Sequence, residues 1–146
     1  RPSSAPMKYA QPIYLDDIVI DFPGLRMNIE HMAYPWTEEL FALMKRANNV
    51  YADVSELFNR PTMLAWYLST AKEYGVIDRI VWGSDTDLYW FDDWEFARYK
   101  AKVQSETSWL RNDLNGVLEG AGWPLLSGEE IDGLLGDNAK TLLQIH

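Results

Sequence analysis

Short apolar runs separated by longer amphipathic segments form the main pattern of this 146-residue chain. Three runs have the length and composition of strands, namely "LRMNIEHM" (25–32), "NVYADVSEL" (49–57) and "DRIVWGSD" (78–85). In the middle run, one set of residues alternates with another: Val50, Ala52 and Val54 with Tyr51, Asp53 and Ser55. The pattern predicts three strands.

Apolar residues recur at helical spacing between these runs. The segment "YPWTEELFALMKRANN" has one stripe that is suited to burial, formed by Leu40, Phe41, Met44 and Ala47. Pro35 suits the first turn of this helix. A second helix is predicted in "NRPTMLAWYLSTAKEYG", which opens near Asn59 and Pro61 and closes at Gly75. Strand and helix alternate at intervals of ~25 to 30 residues, which predicts βαβ units and a parallel α/β sheet.

The segments before the first strand predict little regular structure. Residues 1–12 contain three prolines and no apolar period, so we expect an irregular lead-in. The following segment, "IYLDDIVIDFPGL", predicts a short helix that ends at Pro23 and Gly24.

The segments after the third strand predict helices. In "WFDDWEFARYKAKV", one stripe suited to core packing is formed by Trp90, Trp94, Ala97 and Ala101. The last segment, "SGEEIDGLLGDNAKTLLQI", begins with Ser127 and Glu130 in the register of a capping box. We find no low-complexity tract and no second domain in the sequence.

Three strands are few for a parallel sheet, because such sheets normally have both faces covered and few open edges. We therefore expect residues 1–146 to be a single partial domain whose further strands come from polypeptide outside this sequence. The first strand should then carry an apolar flank, which also favours self-association into a homo-oligomer.

Composition and charge narrow the function classes. The formal net charge of -9 opposes binding to phosphate backbones and anionic lipid, so nucleic acid and membrane surfaces are excluded as expected partners. No apolar run reaches the ~18 to 20 residues of a spanning helix. The absence of cysteine rules out disulfides and thiolate metal sites, and we expect a cytoplasmic protein.

Polar residues end each predicted strand. The carboxyl ends of parallel strands meet at one rim, where ligands bind, and this rim receives His31, Ser55, Glu56 and Asp85. His31 suits acid–base or metal chemistry, or it is a structural imidazole. Asp85 follows Gly83 at the end of a buried strand, where a carboxylate needs a partner or a metal. The alternative is that Asp85 caps the following helix.

The ordered segments "IYLDDIVIDFPGLRMNIEHMAYPW", "NVYADVSE", "DRIVWGSD" and "LLGDNAKTLL" resemble the carboxyl-terminal half of the amidohydrolase-related family. This family includes metal-dependent hydrolases and non-oxidative decarboxylases. The resemblance covers residues 12–90 and 127–145. It implies that the chain is the carboxyl-terminal part of a (β/α)₈ TIM-type barrel, with the three strands as its last three. The other strands would then come from a missing amino-terminal half or from a second chain.

The resemblance also implies roles for particular residues. His31 resembles the catalytic histidine of the sixth strand, and Asp85 resembles the eighth-strand aspartate, which is both a metal ligand and a proton-transfer group. Ser55, Trp36 and Tyr89 are expected to contact the substrate. Asn138 is expected to cap the closing helix against the barrel.

The expected cofactor is a divalent metal ion, with zinc first and manganese or magnesium as alternatives. It would activate a water molecule for hydrolysis of a small ester, lactone or amide. The same site would also suit decarboxylation of a small aromatic or unsaturated acid. The family's other metal ligands, which are histidines on earlier strands, are not in this sequence, so residues 1–146 alone should be inactive.

Two noncatalytic functions and one further enzyme class remain as alternatives. A protein of this fold could act only through interactions. The aromatic cluster formed by Tyr89, Trp90, Phe91 and Trp94 could stack on a sugar, although its helical spacing favours core packing. Asp85 and Asp87 could form a glycosidase pair, but residues two apart on one segment do not face each other across a bond.

Overall fold

The three predicted strands form one parallel sheet. The computed structural model describes residues 6–86 and 92–145. In it, the strands β1 (Met27–Ile29), β2 (Val50–Asp53) and β3 (Ile80–Val81) are neighbours in chain order. Met27 pairs with Val50, and Ala52 pairs with Ile80. The prediction of a parallel α/β sheet is confirmed.

Two helices form the connections between these strands, as the apolar periodicity predicts. Helix α2 (Thr37–Arg46) links β1 to β2, and helix α3 (Pro61–Tyr74) links β2 to β3. Gly75 ends α3 in the left-handed conformation with φ 69°, where its N–H donates to the last carbonyls of the helix. Pro35 is not in the first turn of α2, because the helix begins at Thr37 and the carbonyl of Trp36 accepts its first hydrogen bond.

The core lies between one face of the sheet and these helices. Its largest fully buried side chains come from several elements and include Phe41, Leu40, Met44, Leu64, Leu68 and Ile80. Each such side chain contributes about 1.5 to 3 kcal/mol by leaving water. Val50, Ala52 and Val54 face this core, as the alternation in β2 predicts. The opposite face of the sheet carries Asn28, Tyr51 and Asp53, and it is this face that forms the candidate site.

Short turns precede the sheet. Two 3-10 turns, Met7–Ala10 and Pro12–Leu15, lead into helix α1 (Asp16–Asp21). The short helix predicted here is confirmed, and the lead-in has more helical structure than its prolines indicate. Several large apolar side chains of this region are exposed, namely Met7, Tyr9, Ile13, Tyr14, Ile20, Phe22 and Leu25. These exposed side chains precede β1 in sequence, and the expectation of an apolar flank on the first strand stays a prediction.

Helix α4 (Asp93–Asn112) is longer than predicted and buries a different stripe. Trp94, which the spacing assigns to the core, is 65% exposed, and Ala97 is also exposed. The buried residues of α4 are Glu106 and Leu110. Trp90 lies outside the described residues.

The remaining helices close over the far side of β3. They are α5 (Leu114–Ala121), α6 (Gly128–Asp132) and α7 (Asn138–Leu143), with a π-type turn (Gly133–Asp137) between the last two. The predicted capping box is confirmed, because Ser127 Oγ accepts the Glu130 N–H at 3.1 Å and Glu130 Oε2 accepts the Ser127 N–H at 2.7 Å.

Asn138 attaches this last segment to the sheet. Its Nδ2 donates to the carbonyls of Ile80 at 2.7 Å and Ile77 at 3.1 Å. A Cβ atom at Gly133 would lie 2.8 Å from Asn138 Oδ1, so the glycine leaves room for the amide. Asn138 is therefore structural and holds the closing helix α7 against the sheet, but it does so through the carbonyls around β3 and makes no side-chain cap hydrogen bond to α7.

Within residues 6–86 and 92–145, no helix combines the length and the apolar character needed to cross a membrane.

Candidate functional site

The candidate site begins where β1 stops. The strand ends at Ile29, and the chain turns through Glu30–Ala33 with His31 at φ 55°, Met32 at φ 51° and Ala33 at φ 53°. This left-handed backbone costs about 1 to 2 kcal/mol per residue for side chains other than glycine. Asp53 Oδ1 accepts the His31 N–H at 3.1 Å. The carboxylate on β2 thus holds the turn that carries the histidine.

Asp53 is the centre of a hydrogen-bond network at this rim. Its Oδ2 accepts a hydrogen bond from Asn28 Nδ2 at 2.7 Å. Its Oδ1 accepts the Ser55 N–H at 3.1 Å and also the Ser55 hydroxyl. The Asp53 side chain is only 9% exposed. Because a buried carboxylate needs partners, these donors, together with the His31 N–H, explain how the charge is tolerated there.

Ser55 joins this network to the imidazole. The Nδ1 atom of His31 lies 2.9 Å from Ser55 Oγ and 3.9 Å from Asp53 Oδ1, so the serine hydroxyl stands between the ring and the carboxylate. The His31 side chain is 34% exposed. The ring is therefore held at its Nδ1 edge, and part of the rest of the ring is accessible to small molecules.

The turn brings together residues that the strand pattern separates. Alternation along β1 places Asn28 and Glu30 on the face opposite His31, yet both Asn28 and His31 contact Asp53. The alternation fails because the extended backbone ends at Ile29 and the next residues adopt left-handed angles. Glu30 is exposed to solvent.

The end of β3 packs against the same network. A Cβ atom at Gly83 would lie 3.4 Å from the Asp53 Cβ and 3.8 Å from the Ser55 Cβ. Two residues later, Asp85 is exposed and has φ 46°. Among residues 6–86 and 92–145, the Asp85 carboxylate has no hydrogen-bond or ion-pair partner.

Capping by Asp85 is not seen at helix α4. Asp92 caps that helix, since its Oδ1 accepts the Glu95 N–H at 2.7 Å and Glu95 Oε2 lies 3.3 Å from the Asp92 nitrogen. Asp85 lies well before this cap. Its assignment as a catalytic residue and metal ligand stays a prediction.

Helix α4 holds the segment that carries Asp85. Lys102 Nζ donates to the Ser84 carbonyl at 2.7 Å, and Trp82 Nε1 donates to Glu106 Oε2 at 3.1 Å. Burial raises the pKa of Glu106 above its ordinary value, and the charge of Glu56 acts in the same direction. Lys102 and the Trp82 hydrogen bond lower it in part. The hydrogen bonds from Lys102 and Trp82 fix α4 over the carboxyl end of β3.

Of the other predicted site residues, Trp36 is half-buried at the start of α2. In the described part of the chain, no hydrogen bond joins its indole to the rim residues. Tyr89 lies outside the described residues. The prediction missed Asn28 and Asp53 as partners in the site. The available signal was an aspartate between the apolar residues Ala52 and Val54 of a predicted strand, because a carboxylate is rarely buried without partners.

The described residues do not make a complete metal site. Within 6–86 and 92–145, no group of three His, Cys, Asp or Glu side chains is arranged to hold a metal ion. The exposed carboxylate of Asp85 has suitable ligand chemistry, but a catalytic zinc needs about three protein ligands. Residues 6–86 and 92–145 by themselves therefore do not fit a resident metal ion.

A family model described as "Amidohydrolase" matches residues 3–145 of the chain. No curated protein matches it. Among solved structures, an uncharacterized TIM-barrel protein from Bordetella bronchiseptica is similar, with a TM-score of 0.62 and 20% sequence identity. The match covers 99% of this chain and 43% of that protein. The similarity shows that the fold is part of a (β/α)₈ barrel, and the chain spans less than half the length of this barrel protein.

Proposed function

This chain belongs to the amidohydrolase family, and from that premise we propose that it supplies a histidine and an aspartate to a hydrolytic site for a small ester, lactone or amide. One observation carries the proposal. His31 is fixed at the carboxyl rim of the sheet by Ser55 and Asp53, while part of its ring stays exposed. An imidazole in such a position suits proton transfer.

The proposed role of His31 is to move one proton in each direction. It accepts a proton from a water molecule as the water oxygen bonds to the substrate carbonyl carbon. It then returns the proton to the leaving oxygen or nitrogen when the bond to that atom breaks. General acid–base catalysis of this kind contributes about 10²- to 10⁴-fold to a rate.

Asp85 is proposed as this chain's ligand to a divalent metal ion. It is exposed and has no partner among the described residues, so its carboxylate is available. Zinc is the first expectation, with manganese or magnesium as alternatives, and such an ion makes bound water more acidic. The other ligands would come from polypeptide outside the described residues.

The rest of the barrel is proposed to come from a longer polypeptide or a second chain. Support comes from the open sheet and from the exposed apolar side chains that precede β1. A (β/α)₈ barrel needs about 250 residues and eight strands. In the completed barrel, Trp36 and Tyr89 are proposed to contact the substrate, whereas the hydroxyl of Ser55 is already engaged by His31 and Asp53.

The proposal is tested with a panel of small esters, lactones and amides in ¹⁸O-labelled water, with and without added zinc. We expect the complete protein to incorporate one ¹⁸O atom into the product carboxylate. Release of carbon dioxide from an aromatic acid, without hydrolysis of any panel member, would favour the decarboxylase alternative. No turnover of either kind would favour an interaction protein.

A further inference from the structure

We infer that Asp53, acting through Ser55, fixes the neutral imidazole of His31 in the tautomer that carries its proton on Nδ1. The inference concerns positioning residues, because neither Asp53 nor Ser55 needs to touch the substrate. Its catalytic use depends on the proposed function, but the tautomer itself can be measured in the absence of any activity.

The direction of the hydrogen bonds follows from the donors available. An ionised carboxylate can only accept, so the Ser55 hydroxyl must donate its single proton to Asp53. The Ser55 oxygen then has only lone pairs to offer to the ring. Since Nδ1 of His31 lies 2.9 Å from that oxygen, Nδ1 must be the donor and must carry the proton.

The carboxylate is itself held in place. Asn28 donates to its Oδ2 at 2.7 Å, and the backbone N–H groups of His31 and Ser55 both donate to its Oδ1 at 3.1 Å. These bonds fix the plane of the carboxyl group. The proton of the Ser55 hydroxyl is thereby directed toward Asp53 and away from the ring.

The consequence appears at the other ring nitrogen. With the proton on Nδ1, the neutral ring presents the lone pair of Nε2, and in the described part of the chain Nε2 has no hydrogen-bond partner. That lone pair is the base that the proposed proton transfer requires. The opposite tautomer would present an N–H group and could not accept a proton there.

The test is long-range ¹H–¹⁵N NMR of the protein with ¹⁵N-labelled histidine at about pH 8, above the ordinary imidazole pKa of about 6.5. The His31 signals are assigned by their loss in His31→Asn. We expect Nδ1 to resonate as a protonated nitrogen and Nε2 as an unprotonated one. A protonated Nε2 with an unprotonated Nδ1 in the wild type would overturn the inference.

Ser55→Ala removes the acceptor, so the population of the Nδ1–H tautomer should fall. Its kcat should fall about 10- to 100-fold with little change in KM, as is typical when the partner that orients a histidine is lost. Ser55→Thr keeps the hydroxyl and should restore the tautomer. Ser69→Ala, which changes a buried serine of α3, is the matched control and should leave the tautomer and kcat unchanged.

The outcomes separate the two proposals. An undiminished Nδ1–H tautomer in Ser55→Ala would contradict the inference even if the enzyme is active. The expected tautomer in a protein that hydrolyses nothing would support the inference while refuting the proposed function.

Discussion

Gly83 lies beside Asp53, where the chain leaves β3 next to the end of β2. A Cβ atom at position 83 would lie 3.4 Å from the Asp53 Cβ and 3.6 Å from its Cγ. The chain after the third strand therefore passes close to the carboxylate that organises the ends of the first two. Side chains larger than a methyl group at position 83 would displace it.

Gly83→Ala should change the free energy of unfolding by less than about 1 kcal/mol, because its added methyl group fits at ordinary contact distance. Gly83→Val should cost about 1 to 3 kcal/mol by overpacking the site. Urea unfolding measures both. Gly24→Val is the control, since nothing lies within 4 Å of a Cβ atom at that position. Equal losses of unfolding free energy in Gly83→Val and Gly24→Val would contradict the close packing of position 83 against Asp53.

Asn138→Ala should lower the free energy of unfolding by about 1 to 3 kcal/mol, because it leaves the carbonyls of Ile77 and Ile80 without its amide. Asn138→Asp should be at least as costly, since a carboxylate cannot donate to a carbonyl. Thermal and urea unfolding give the values. Asn112→Ala, at an exposed position, should cost less than about 0.5 kcal/mol, and a similar loss there would refute the assigned role.

Glu106 should make the protein less stable as pH rises. Burial raises its pKa above the ordinary value of 4.5, so the folded protein binds this proton more tightly than the unfolded chain does. Stability that Glu106 provides at low pH is then lost as pH rises from about 4.5 through its folded-state pKa.

Glu106→Gln removes this titration and still accepts the hydrogen bond from Trp82. The free energy of unfolding of Glu106→Gln, relative to wild type, should therefore increase with pH. It is measured by urea unfolding from about pH 4 to about pH 8, which begins near the ordinary carboxyl pKa and extends above it. Glu119→Gln, at an exposed position, should show no such trend. A relative stability that falls with pH would contradict the raised pKa.

Much of the fold could be predicted from local patterns. The strands, α2, α3 and the Ser127 capping box all depend on residues close together in sequence. The buried face of helix α4 could not be predicted in the same way. The helix buries Glu106 and turns Trp94 to solvent because Lys102 and Glu106 bind Ser84 and Trp82, 18 and 24 residues away. The spacing of apolar residues within the helix does not reveal contacts with residues so distant in sequence.

The candidate site was predictable only in part, for a similar reason. Strand order placed His31 and Ser55 at one rim, and the structure joins them. Alternation through the predicted strand 25–32 would place Asn28 on the face opposite His31, but the strand ends at Ile29. The left-handed turn at His31 depends on Asp53, 22 residues later, so local sequence does not reveal it.

Asp85→Asn should reduce turnover about 10²- to 10⁴-fold and lower the metal content of the complete protein, while changing the free energy of unfolding by less than about 0.5 kcal/mol. Asparagine tolerates the φ of 46° at this position, so the backbone should not be disturbed. Activity assays and elemental analysis measure the two effects. Asp78→Asn, at the other end of β3, is the matched control and should change neither. Full turnover in Asp85→Asn would remove Asp85 from the site.

The central claim is that His31 transfers the proton in hydrolysis, and the kcat of His31→Asn in the complete protein tests it most directly. Asparagine suits the φ of 55° at position 31, so loss of the imidazole is the main change. We predict that kcat falls about 10²- to 10⁴-fold, with metal content and the free energy of unfolding nearly unchanged. A kcat equal to that of the wild type would contradict the account.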